Sequence, residues 1–299
     1  MDLMELMSNS DRKQRVVEEL RHRLREGVDL PVLPEVANEL LQLRNQPGAD
    51  VGMLAEAIGK DPAISAHILR YARMAGFGYG ERIKTLNDAI RLVLGYDKTL
   101  HLAVGLSAGQ SLSVEVDGPL GLRAFWSHSL RCAVLTQALA KELPSEYRPS
   151  LGLSYLSGLL HNIGYLLFGT LYPAEFAVLN AAAAKYAQIE IRELEFICIG
   201  ISHDMIGNYL LRAWNMPEEI VIATGEHHFP DFDGKYAVYP KLVYLASLLI
   251  RMTDDPTFVD QPWARFEKIG LNEAAALKAQ SSLAEISTEL EQMAVELVA

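Results

Sequence analysis

A chain of 299 residues, half of them apolar, is long enough for two domains or one large one and can bury a sizeable core. Its formal net charge of −11 repels a polyphosphate backbone and argues against broad nucleic-acid binding. No uninterrupted apolar run reaches the roughly 18 residues of a membrane span, and Met1–Asp11 has neither a basic n-region nor a long apolar stretch, so the expectation is a cytoplasmic protein off the membrane.

Strand signals are nearly absent, helical periodicity recurs almost everywhere, and short Gly or Pro punctuation separates the segments. The fold class predicted is all-α. Asn9-Ser10-Asp11 can cap a first helix to about Arg25, closed by Gly27. Arg12, Lys13, Arg15, Arg21, Arg23 and Arg25 crowd this helix, but Glu18, Glu19 and Glu26 interleave with them at helical spacing. A solvated, ion-paired face is the reading.

Leu30-Pro31-Val32-Leu33-Pro34 is extended, because each proline disfavours helix before it. A helix starts near Pro34 with an apolar stripe of Val36, Leu40, Leu41 and Leu43. Asp50 caps Met53–Ile58, and Asp61-Pro62 supplies the cap and first position of Ala63–Met74. Thr85 starts Leu86–Leu94, ended by Gly95, and a further helix covers Lys98–Leu112. Lys60, Arg70 and Arg73 do not form the basic stripe of a recognition helix. Helices follow near Arg123–Glu142, Ser150–Thr170, Pro173–Tyr186, Ile189–Trp214, Pro217–His227 and Pro240–Met252. Cys132 and Cys198 lie in apolar stretches and read as reduced core residues, with too few thiols for a zinc finger or a CxxC motif.

Beyond Leu271, the apolar residues Ala276, Ala279, Leu283, Ile286, Leu290, Met293 and Leu297 alternate spacings of three and four. That is a seam of about three heptads. It fits a final helix packed on its own domain, or a homodimer formed through 271–299. The division expected is an N-terminal helix at 1–27, an N-terminal lobe at 28–115, a second lobe at 116–260 and an amphipathic helix at 261–299.

The second lobe holds His128, His161, His203, His227 and His228, five of the chain's eight histidines. Singly, each reads as a satisfied core or surface residue; five on helices of one lobe point to a site. Imidazole is a ligand for zinc, iron and nickel, and a hydrolytic site would also need carboxylates to charge and bridge the metals.

The order His128, His161-Asn162, His203, His227-His228 resembles the HD-domain phosphohydrolases, in particular the HD-GYP branch that hydrolyses cyclic di-GMP. Asn162 and Ser247 stand where that pattern has its two aspartates, and Tyr165 follows Gly164 where HD-GYP enzymes commonly have a lysine. Three N-terminal segments, Leu30–Ala37, Ile58–Ala63 and Leu86–Gly95, resemble the opening of an HDOD domain. Phe125–Ser129, Gly158–Gly164 and Trp214–Glu218 continue it, so the resemblance covers about residues 28–255. It implies a two-lobed helical HDOD/HD-like fold and a non-catalytic bacterial signalling or adaptor module acting through signalling partners or a ligand in a degenerate cleft. No cofactor is then required, although His128, His161, His203, His227 and His228 could still hold a divalent transition metal.

The alternative is a metal-dependent phosphohydrolase acting on a nucleotide or cyclic dinucleotide, for which Asp204 and Glu226 are the nearby carboxylates. A third possibility is a sensor binding a nucleotide ligand in the vacated cleft, with Arg131 meeting a phosphate.

Overall fold

The computed structural model describes residues 10–26, 28–258, 260 and 263–298. Asn9 and Gly27, the expected cap and stop of the first helix, lie outside the described residues. That helix, α1, covers Ser10–Glu26. It is followed by α2 (Glu35–Asn45), α3 (Val51–Gly59) and α4 (Pro62–Ala72). Asp50 accepts from the Met53 amide at 2.9 Å, and Asp61 accepts from Ala63 and Ile64 at 2.9 and 3.0 Å. Both are the side-chain caps expected of aspartate before a helix. Thr85 and Asp88 form a reciprocal capping box on α5 (Leu86–Asp88), which continues as a π-helical turn over Ala89–Leu94. The long α6 (Tyr96–Gln110) is buried along nearly its whole length.

A non-helical connector leads to α7 (Leu122–Glu142), the central rod of the molecule. Helices α8 (Leu151–Leu160), α9 (Ile163–Leu171), α10 (Pro173–Lys185), α11 (Ile191–Cys198), α12 (His203–Ala213), α13 (Glu218–Glu226) and α14 (Val238–Asp254) follow. Among the described residues there is no strand.

Two long helices expected from periodicity are each broken in two. The segment Ser150–Thr170 breaks at His161-Asn162, and Ile189–Trp214 breaks between Cys198 and His203. Apolar periodicity runs through both breaks because both flanking halves face the same core. Gly200, at φ +82°, provides the turn in the second. The apolar stretch Leu151–Leu171 has the length and hydropathy of a membrane span, yet 89% of it is buried inside the molecule.

The tail is likewise several short elements and not one helix: α15 (Trp263–Phe266), α16 (Glu273–Ala284) and α17 (Ser287–Glu296). Ala276, Ala279, Leu283, Ile286, Leu290, Met293 and Leu297 are all buried, and α16 and α17 both pack on α7. The heptad-like seam is therefore occupied within the chain.

The motif Trp214-Asn215-Met216-Pro217 is a joint. The Trp214 indole N–H donates to the Pro31 carbonyl at 2.7 Å, tying the extended entry segment to the end of α12. Asn215 takes the left-handed conformation (φ +51°) that asparagine tolerates, and Pro217 is the N-cap ahead of α13.

Candidate functional site

The two helix breaks place the histidines. His161 caps the C-terminus of α8, His203 is the first residue of α12, and His227 caps the C-terminus of α13, followed by His228. His128 projects from the first half of α7. Their rings form one continuous cluster: His128–His161 centroids lie 5.2 Å apart, His161–His227 5.0 Å, His227–His228 4.1 Å, and His203 stands 5.3 and 4.9 Å from those last two. All five histidines singled out in the sequence come together.

The hydrogen bonds assign the tautomers. His161 Nδ1 faces the Gly158 carbonyl at 2.8 Å, and His227 Nδ1 faces the Thr224 carbonyl at 2.8 Å. A carbonyl only accepts, so both Nδ1 atoms carry hydrogen and both Nε2 atoms present a lone pair. His203 Nδ1 lies 2.6 Å from Glu195 Oε1, which assigns its hydrogen the same way. The Nε2 atom of His203 then sits 3.3 Å from His227 Nε2 and 3.1 Å from His228 Nε2. The lone pairs of His203 and His227 thus face each other, while a neutral His228 can donate its Nε2–H to His203.

Burial lowers the proton affinity of four of the rings, His128, His161, His227 and His228. It holds His161 and His227 well below the usual imidazole value, helped in each case by neighbouring histidines. His128 is pushed down to about 4 by burial and by Arg131, and His228 to about 2 by burial and by His203. Neutral imidazoles with aimed lone pairs are what a transition metal binds.

Glu195 belongs to the candidate site although no motif marks it. It is wholly buried and accepts from both the backbone N–H and the Nδ1–H of His203, at 3.1 and 2.6 Å. Tyr165 stacks on His203 with centroids 4.2 Å apart; burial and the Glu195 carboxylate raise its phenol well above the usual value. A carboxylate behind a ligand-type histidine fixes its ring and increases its basicity. The sequence signal is a charged residue on the buried face of α11, beside Leu194 and Cys198.

Of the two carboxylates considered as substitutes, Asp204 has a ligand atom within 4.8 Å of those of His203 and Glu195. Asp204 is buried and paired with Arg192, at 3.1 and 3.3 Å. Glu226 does not line the cleft; its carboxyl is raised by burial and by Asp204.

Above the histidines opens a cleft of about 850 Å³ whose lining includes all five of them, Asn162, Tyr165 and Ser247. Arg131 lines it too, but its guanidinium is held by Asp254 through two contacts of 2.8 and 2.6 Å. Arg251 pairs with Glu190 at 2.8 Å at the same mouth. The donor set therefore fits a nitrogen-rich metal site. The amide of Asn162 and the hydroxyl of Ser247 line the cleft beside the imidazoles.

Comparison with known proteins places this arrangement. The HDOD domain family matches residues 30–230. The chain belongs to the HDOD family. It is similar to a signal-transduction-assigned protein of Marinobacter aquaeolei VT8, at 26% identity and a TM-score of 0.80, over 100% of this chain and 69% of that one. A phosphohydrolase-assigned protein of Shewanella amazonensis SB2B has 23% identity and a TM-score of 0.70, over 94% of this chain and 98% of its own. An HDOD domain protein of unknown function from Geobacter sulfurreducens has 20% identity and a TM-score of 0.72, over 92% and 97%. These last two likenesses concern the fold. An uncharacterized protein of Treponema pallidum (strain Nichols) is 26% identical over 268 residues. The HDOD chain spans 89% of its own length in that match but only 51% of the relative's.

Proposed function

We propose that this HDOD protein is a non-catalytic signal-transduction module, acting through signalling protein partners or a ligand held in its degenerate cleft. The observation that carries this reading is the cleft's composition: Asn162 and Ser247 line it beside the five histidines. An amide and a hydroxyl supply neither the negative charge nor the bridging oxygens that hold two metals and a nucleophilic water in phosphodiester hydrolysis. The likeness to the Marinobacter protein, assigned to signal transduction, supports the signalling role.

If a divalent transition metal binds, His203, His227 and His228 would hold it, with Glu195 orienting His203 from behind. A metal there would supply Lewis acidity. The chain's own contribution would be neutral, aimed imidazoles and a fixed cleft. Persistence of the whole histidine cluster is what favours the alternative, a metal-dependent phosphohydrolase acting on a nucleotide or cyclic dinucleotide.

The deciding experiment offers untagged protein, loaded in turn with manganese, iron(II), nickel or zinc, a panel of cyclic dinucleotides and nucleotide phosphates. No turnover is expected, in wild type or in Glu195→Gln. Metal-dependent hydrolysis that disappears in His203→Ala would replace this reading with the enzyme.

A further inference from the structure

One face of the histidine cluster contains a sulfur. Cys132 lies one turn after His128 on α7, so both side chains share a face of that helix. His161 enters from the end of α8 with its Nδ1 committed to Gly158, leaving Nε2 free. Ligand atoms of His128, Cys132 and His161 all lie within 4.8 Å of one another. A tetrahedral zinc with ordinary Zn–S and Zn–N bonds separates sulfur from nitrogen by about 3.5 Å, a span that small side-chain rotations reach from here. The two helices can carry such a site because α8 approaches α7 very closely: Gly158 packs against the backbone of Cys132 and Ala133, where a Cβ would come within 2.7 Å of the Cys132 carbonyl oxygen.

Ser247 links the thiol to the family pattern. Its Oγ lies 3.7 Å from Cys132 Sγ, and Thr136 Oγ1 lies 3.7 Å from the same sulfur. Either partner can donate in these two contacts with the thiol; both hydroxyls could donate to the sulfur once it is a thiolate. By the resemblance to the HD pattern, Ser247 stands where an aspartate is expected, so that position faces a sulfur and offers no carboxylate.

We infer that His128, Cys132 and His161 form a mixed nitrogen–sulfur site for one borderline-soft cation such as zinc, with Ser247 and Thr136 donating to the thiolate. It is separate from the all-nitrogen set of His203, His227 and His228. Thiolate ligation selects softer metals than carboxylate ligation does. The exchange of carboxylate for sulfur turns a hydrolytic type of donor set into a structural or sensing one. This deepens the reading of the cleft as non-catalytic and rests on it for the site's role. On binding, the metal displaces the thiol proton to solvent. Burial holds that thiol up at about 11 in the metal-free protein.

The test is cobalt(II) titration of untagged, chelator-stripped full-length protein, read by absorbance. A thiolate-to-cobalt charge-transfer band in the near ultraviolet is expected, together with tetrahedral d–d bands, and zinc should bleach both. Cys132→Ser should abolish the charge-transfer band, whereas Cys198→Ser should retain it as an internal thiol control. Absence of the band in wild-type protein would overturn the inference even if Cys132→Ser failed to fold. Persistence of the band in a folded Cys132→Ser would do the same. The band is read without substrate, so turnover in the hydrolysis assay would remove the non-catalytic reading and leave the thiolate ligand standing.

Discussion

At the residue scale, burial holds four of the site's imidazoles, His128, His161, His227 and His228, below their usual value. In the unfolded chain each histidine takes its proton near 6.5, whereas in the folded protein His128 waits until about 4 and His228 until about 2. His161 and His227 are lowered in the same direction. A depressed histidine value means that the unfolded chain binds more protons between the two values. Stability is therefore full above about 6.5 and falls as the pH drops, by up to about 1.4 kcal/mol per pH unit for each histidine. Glu226, raised by burial, opposes this as a single group near the bottom of the range. Urea unfolding of chelator-stripped protein should give midpoints that decline from about pH 7 to about pH 5, and His228→Gln should flatten the slope. A level profile across that window would contradict neutral burial.

The element scale is governed by close approaches of helices at the breaks. Gly164, two residues after Asn162, faces the His203 carbonyl so closely that a Cβ there would overlap it, and would also come within 2.8 Å of the Gly207 amide nitrogen. Neither obstacle is the flexible end of a side chain. Gly164→Ala should push α12 away from α9, and overpacking of this kind costs about 1–3 kcal/mol. Equilibrium unfolding measures it. A neutral outcome would mean that the two helices have slack. The same displacement would shift His203 relative to Glu195, so the close packing and the orientation of this imidazole are one structural fact.

For the whole molecule, the tail matters more than its place at the end of the sequence suggests. Leu290 is completely buried where α17 lies on α7, the helix that also carries His128, Cys132 and Arg131. Ser127, adjacent to His128, donates to Glu291 of α17. Leu290→Ala should cost about 2–5 kcal/mol, as for other large-to-small changes at buried leucines. The unfolding midpoint should not depend on protein concentration, because the seam is filled within one chain. A concentration-dependent midpoint would instead indicate that the seam pairs copies of the chain.

The sequence by itself determined the all-helical class, the caps at Asp50, Asp61 and Thr85, the buried thiols and the five histidines of the site. These follow from local chemistry: apolar spacing, side-chain acceptors ahead of helices, and residue types in a family order. It also singled out Asn162 and Ser247, and both line the cleft. Only the tertiary structure decided where the long apolar segments break, because a core accepts both halves of a broken helix and the pattern does not change across the break. Tertiary packing also decided that the heptad-like tail lies on α7, since the same seam would suit a partner or the chain's own core. Glu195 carries no motif, and Cys132 reads from the sequence only as a reduced core thiol, for the same reason. Their meaning depends on which imidazole lies beside them, and that is set by helices packing across the fold, not by neighbours along the chain.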